Sequence, residues 1–103
     1  FFMIMVIIRI KVLSEKRMEL TQTIVSLSDS IEVENGCQRC GFCQSMADEN
    51  QFFLFEEWDT WANLFIHLKS ERFRVLRGAM NLLCHPFEMT FYTVFDPEGI
   101  EAI

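Results

Sequence analysis

Between residues 3 and 13 the chain is rich in β-branched side chains, and Ile8, Ile10 and Val12 alternate with Arg9 and Lys11, the two-residue period of a strand. The period then changes. Leu20, Ile24, Leu27 and Ile31 recur at three-to-four spacing, Ser14 offers an N-cap oxygen and Glu15 suits the positive helix end, which together predict a helix over residues 14–31. Glu34-Asn35-Gly36 signals a turn because Asn and Gly tolerate positive φ, and residues 37–46 follow as a second strand. After a turn at Ala47-Asp48-Glu49-Asn50, Gln51–Trp58 alternates clearly: Phe52, Leu54, Glu56 and Trp58 share one face, Phe53, Phe55 and Glu57 the other. Asp59-Thr60 and Ser70-Glu71 supply capping oxygens ahead of two short helices, Trp61–Leu68 and residues 72–83. His85-Pro86 stops the second, since proline lacks an amide hydrogen and disfavours helix in the residue before it. Glu88–Phe95 alternates again as a last strand.

The order β-α-β-β-α-β, with a long helix joining strands that need a crossover, predicts an α+β ferredoxin-like domain whose antiparallel sheet carries helices on one face. The other face is then bare, and it holds Phe53 and Phe55. A second copy packed there would close an α/β barrel, so a homodimer is expected. A chain of 103 residues has room for one such domain, over residues 1–103, and little surplus for a large internal cavity.

Composition sharpens this picture in one respect. Half the residues are hydrophobic and 11 are phenylalanine, more apolar aromatic surface than a small monomer usually hides, so interface and pocket compete with a Phe-rich core as its destination. The formal charge of −6, with no run of Lys or Arg, argues against nucleic acid and against anionic membrane surfaces as partners. No apolar stretch reaches the roughly 18–20 residues that span a bilayer. The apolar opening is interrupted by Arg9 and Lys11 with no small-residue cleavage site after it, so it reads as a strand rather than a signal peptide, with Met3 a candidate start behind Phe1 and Phe2. The expectation is a cytoplasmic protein.

The segment Asp48-Glu49-Asn50-Gln51-Phe52-Phe53-Leu54-Phe55-Glu56-Glu57-Trp58-Asp59-Thr60, with His67, Ser70 and Phe73 downstream and Asn35-Gly36-Cys37 upstream, resembles the signature of the antibiotic biosynthesis monooxygenase family, matching from Gly36 through Phe52 to Trp58 without a gap. The resemblance implies a dimeric α/β barrel with one pocket per protomer between helices and sheet. It also implies a choice of chemistries, since the family spans cofactor-independent oxygenases of quinols and phenols, haem degraders and proteins of other activities, and fold alone does not choose among them. Haem degraders of the family use a helix histidine just past the position of Phe73 and an asparagine on the first strand. Here those places hold Arg74-Val75-Leu76-Arg77-Gly78-Ala79 and Ile8, and Leu54 stands where polyketide oxygenases carry a polar group near the tryptophan. No flavin, nicotinamide or metal motif is present, and no cofactor is expected.

Three residues are candidates for catalysis. Trp58, at the family's Glu-x-Trp position, either forms a stacking wall for a flat substrate or fills the seam between strand and helix. Glu56 on an apolar face would have its charged form disfavoured by burial, which suits general acid or base work; the competing role is a carboxylate hydrogen-bonded to a nearby helix end or side chain, holding the corner together. His67, nine positions after Trp58, is the candidate base, against the common case of a satisfied structural histidine. Phe52 and Leu54 on the strand, with Phe73 and Leu76 on the last helix, are the candidate substrate walls. The ligand class implied is a small aromatic molecule.

Cys37-Gln38-Arg39-Cys40-Gly41-Phe42-Cys43 has the spacing of part of a metal or cluster site. On a regular strand Cys37 and Cys43 would point to one face, roughly 20 Å apart, and Cys40 to the other, so no single ion gathers them, and Cys84 becomes a fourth ligand only if the strand gives way to a loop. Three functions therefore compete: a cofactor-independent monooxygenase, a small-molecule binding or sensing protein, and a cysteine-centred redox or metal module.

Overall fold

The alternation that opens the chain forms β1 (Phe2–Lys11), whose inward set Ile4, Val6, Ile8 and Ile10 is buried. The computed structural model describes residues 2–95; Phe1, the first of the two residues ahead of the candidate start at Met3, lies outside them. β1 is central in a four-stranded antiparallel sheet of order β2-β3-β1-β4, made with β2 (Cys37–Gln44), β3 (Gln51–Trp58) and β4 (Glu88–Phe95). Three helices, α1 (Arg17–Glu32), α2 (Trp61–Leu68) and α3 (Glu71–Leu83), cover one face. This is the α+β ferredoxin-like arrangement that the order of elements predicted. The core lies between the layers, where Leu20, Ile24 and Ile31 of α1 and Phe73, Leu76, Met80 and Leu83 of α3 meet the inward rows of β1 and β3.

Three local features depart from the expected pattern. Ser14 does not cap a helix: its hydroxyl donates to Glu15 Oε2 (3.3 Å), and Ser14–Lys16 form one 3-10 turn before α1 starts at Arg17. The cause lies just upstream, where the Val12 amide donates to Asn50 O (2.9 Å) and the Leu13 amide to Leu83 O (3.0 Å), so the chain leaves β1 tied down and turns tightly. β2 stops at Gln44 rather than at residue 46, because the Ser45 hydroxyl accepts the amides of Ala47 and Asp48 (3.1 and 3.3 Å) and closes the turn early.

The third departure is a β-bulge. Cys37 pairs with Trp58 and Arg39 with Glu57, so Gln38 is an extra residue and the strand changes phase there. Cys37 and Cys40 consequently both face the core, and Cys43 faces away beside Phe53, which replaces the regular alternation expected for the three cysteines.

The uncovered face of the sheet carries Met3, Met5 and Ile7 of β1, Phe53 and Phe55 of β3, and Tyr92 and Val94 of β4. It is an apolar surface with no helix over it. Phe55 lies across Gly41, where any Cβ would overlap its ring. Gly41→Ala is therefore expected to lower stability by about 1–3 kcal/mol, as forced overpacking does. In a Phe55→Ala background the same change should cost much less, and urea denaturation of the four variants measures the difference.

Candidate functional site

On β3 the inward row ends in Glu56 and Trp58, both buried, and the chain turns at once into α2. Thr60 caps that helix by accepting the Asn63 amide (3.1 Å), while Asp59 Oδ1 accepts from Asn63 Nδ2 (2.9 Å). Two turns on, His67 comes back over Trp58 and stacks on it, with ring centroids 4.7 Å apart and planes 30° off parallel. Ser70 then donates to His67 O (2.6 Å) and accepts the Phe73 amide (3.2 Å), which starts α3 and sets Phe73 edge-on to His67 at 5.2 Å.

Both imidazole nitrogens meet carboxylates. Nδ1 lies 3.0 Å from Glu34 Oε2 and Nε2 lies 3.1 Å from Glu56 Oε2, and Trp58 Nε1 donates to Glu56 Oε1 (2.9 Å). Glu34 reaches in from the loop after α1, where Gly36 at φ 89° makes a turn that no L side chain takes easily and where Gly36 O accepts the Asp59 amide (3.0 Å). Burial pushes the His67 pKa down, but the hydrogen bond and charge of Glu56, with Glu34 behind it, outweigh burial and hold the group above the ordinary histidine range. The imidazolium thus donates from both nitrogens. A neutral ring would turn one lone pair toward a carboxylate.

A separate cleft of about 680 Å³ opens between the start of α1 and the β2–β3 hairpin, lined by Arg17, Met18, Gln22, Phe42, Gln44 and Phe52 among others. The rings of Phe42 and Phe52 stack at 5.1 Å. Of the seven residues singled out from sequence, only Phe52 lines this cleft. Glu56 and Trp58 lie farther along the same strand, roughly 13 Å and more from Phe52 at the usual rise per residue. Leu54, Phe73 and Leu76 are packed inside the core. A second hollow of about 350 Å³, lined by Arg9, Lys11, Phe53 and Glu88 among others, opens on the uncovered sheet face.

The family model described as antibiotic biosynthesis monooxygenase matches residues 3–78. The chain belongs to this family. Among solved structures it is similar to a putative antibiotic biosynthesis monooxygenase from Nitrosomonas europaea, at 20% identity and TM-score 0.86, covering 92% of this chain and 92% of that one. A conserved protein from Methanosarcina mazei Go1 is similar at 24% identity and TM-score 0.84, over 88% of this chain and 91% of that chain. A protein from Bacteroides thetaiotaomicron described as a possible oxidoreductase superposes with TM-score 0.84 at 20% identity, over 89% and 97% of the two chains. No curated protein matches the chain.

Within the antibiotic biosynthesis monooxygenase fold, the structure joins Trp58, Glu56, His67 and Phe73 into one buried cluster, and it adds Glu34, which sequence reasoning treated only as part of a turn. No local pattern of residues signals that Glu34 meets a histidine 33 positions later. Phe42 and Arg17 were also missed, because placing Phe42 beside Phe52 requires the β2 bulge to be known. Burial, then the charge of Glu56, raises the Cys37 and Cys40 thiols to about 11 and about 12, and burial raises Cys84 to about 11, so thiolate is scarce at neutral pH. Among the described residues, no three His, Cys, Asp or Glu side chains converge as metal ligands.

His67→Ala leaves Glu56 buried without its cation and should destabilise the fold by about 3–5 kcal/mol in urea denaturation. The wild-type protein should also show a pH signature. A group whose folded pKa is raised contributes stability that is fully present below its unfolded value near 6.5 and is lost as pH rises through the folded value. Urea midpoints taken upward from pH 6.5 should fall in the wild type and stay flatter in His67→Gln.

Proposed function

We propose that this chain, as a homodimer, binds small, flat, electron-rich aromatic molecules of the quinol or phenol class in the cleft between α1 and the β2–β3 hairpin, and oxidises them with dioxygen without a cofactor. The observation that carries the binding reading is the cleft itself. Its floor is the stacked pair Phe42 and Phe52, its wall is Met18, and its rim holds the amides of Gln22 and Gln44, an apolar bed with a few orienting polar groups. Family membership supports the oxidative step, in which a deprotonated quinol passes electrons directly to dioxygen, one oxygen atom entering the ring to give a hydroxyquinone and the other leaving as water.

In this reading Phe52 stacks on the ligand, Leu54, Phe73 and Leu76 shape the wall behind it, and Glu56, Trp58 and His67 form the buried end. For His67 to take a substrate proton, the imidazolium must first give one up and the 3.1 Å contact with Glu56 must open to admit the substrate. That requirement favours a second reading, binding or sensing without chemistry, in which the cluster only holds α2 to the sheet. Four free cysteines suit a reducing compartment such as the cytoplasm, and the described residues include no helix long and apolar enough to cross a membrane. The charge of −6 makes nucleic acid an unsuitable partner.

Oxygen uptake with a panel of naphthohydroquinones and catechols separates the two readings. The monooxygenase reading expects turnover that drops at least tenfold in His67→Gln and Trp58→Phe. Turnover indifferent to both removes these residues from the chemistry, and saturable binding without uptake selects the binding protein. Phe42→Ala should weaken binding about tenfold or more, the scale of one lost aromatic contact. Phe53→Asp or Phe55→Asp places a charge on the uncovered sheet face, and sedimentation should show the dimer dissociating.

A further inference from the structure

We propose that Arg17 sets the ligand class of the cleft: the preferred ligand is an aromatic acid, whose carboxylate takes the place of Glu49 on the Arg17 guanidinium. This rests on the reading that the cleft holds an aromatic molecule, and it narrows that reading from neutral phenols to anionic ones.

Among the described residues that line the cleft, Arg17 is the one cation. It is the first residue of α1, and its side chain crosses to the β2–β3 turn, where Nη1 pairs with Glu49 Oε1 as an ion pair (2.7 Å) and donates to Asn50 Oδ1 (3.4 Å). Both contacts use Nη1. Among the described residues Nη2 and Nε make no hydrogen bond, so once Glu49 leaves Nη1 the guanidinium fork is open to bidentate pairing with a carboxylate. The Arg17 side chain is 34% exposed and that of Glu49 74% exposed, so Glu49 approaches from solvent while Arg17 stands half within the cleft. An ion pair of that kind contributes little and exchanges readily. A ligand acid seated on Phe42 and Phe52 would meet the same guanidinium from the less hydrated side, where the attraction is stronger.

Charge elsewhere points the same way. With a net charge of −6 the protein as a whole repels anions, so an acid binds only where a local cation outweighs the rest. Glu15, the one acid lining the cleft, accepts from Ser14 Oγ (3.3 Å) and disfavours a second anionic group on the ligand. The fitting ligand is a flat monoacid.

Titration calorimetry on the full chain, with 6-hydroxy-2-naphthoate and its neutral parent 2-naphthol as probes, tests this. The wild type should bind the acid at least tenfold more tightly than the neutral phenol, and added salt should shrink the gap. Arg17→Gln should abolish the preference by lowering the acid's affinity at least tenfold more than that of 2-naphthol, and Glu49→Gln, an exposed change that leaves the fold intact, should raise acid affinity several-fold by freeing Arg17. Equal binding of both probes by the wild type, or a preference that survives Arg17→Gln in a folded variant, overturns the role of Arg17 while the aromatic cleft stands. Failure of both probes to bind overturns the cleft reading together with it.

Discussion

A histidine buried to no solvent exposure must stay neutral or keep its counter-charges within reach, and His67 keeps two. Glu34 and Glu56 hold it from opposite sides, Trp58 underlies the ring, and Phe73 closes the edge. These residues come from the loop after α1, from β3, from α2 and from α3, so one cation ties together four pieces of chain that share no backbone ladder. Desolvating an ion pair is expensive, and such a cluster persists only when each polar atom has a partner. Here every buried side-chain nitrogen and oxygen among the described residues does. The turn at Gly36 and the caps at Thr60 and Ser70 serve the same geometry, since each fixes a segment that delivers a member of the cluster.

The sheet distributes its chemistry by phase. β3 alternates in burial as far as Glu56, after which Glu57 is buried as well, and its inward row puts Phe52 in the cleft and Glu56 and Trp58 in the sealed end. β2 breaks alternation once, at Gln38, and this break brings Cys40 opposite Glu56 and Phe42 opposite Leu54. Without the bulge every residue from Arg39 onward would face the other way, Phe42 would leave the cleft, and its partner Phe52 would lose the ring it stacks on. The same phase puts Gly41 under Phe55 on the uncovered face. A single extra residue thus shapes the cleft on one side of the sheet and the apolar surface on the other.

Much of this was legible in the residues. Period, caps and the proline after α3 placed the elements and the ferredoxin-like order, because strands and amphipathic helices follow local rules. The helix start at Ser14 was misplaced, since the backbone bonds of Val12 and Leu13 to distant residues decide it. For the site, the inward row of β3 could be read directly. The alternative role weighed for Glu56, a carboxylate bonded to a nearby helix end or side chain, describes its contacts with His67 on α2 and Trp58 on β3. Glu34 could not be found, because its pairing depends on where a turn of positive φ points a side chain. Arg17 and Phe42 could not be found either, because a cleft belongs to two elements at once and neither one's pattern describes it.

The two centres divide labour along one strand. A polar cluster sealed from water is rigid and keeps its charges fixed; an open cleft with an apolar floor adapts to what enters it. If the protein only binds, the cluster acts as a fastener that keeps α2 and α3 pressed on the sheet so that the cleft's far wall does not move. If it also oxidises, the cluster must exchange a proton with the cleft across Leu54, a residue that can neither give nor take one. That apolar step lies between His67, the only buried histidine among the described residues, and the cleft proposed to take the ligand. The burden therefore falls on the oxidative reading, which must open the Glu56–His67 contact or find its proton acceptor at the cleft.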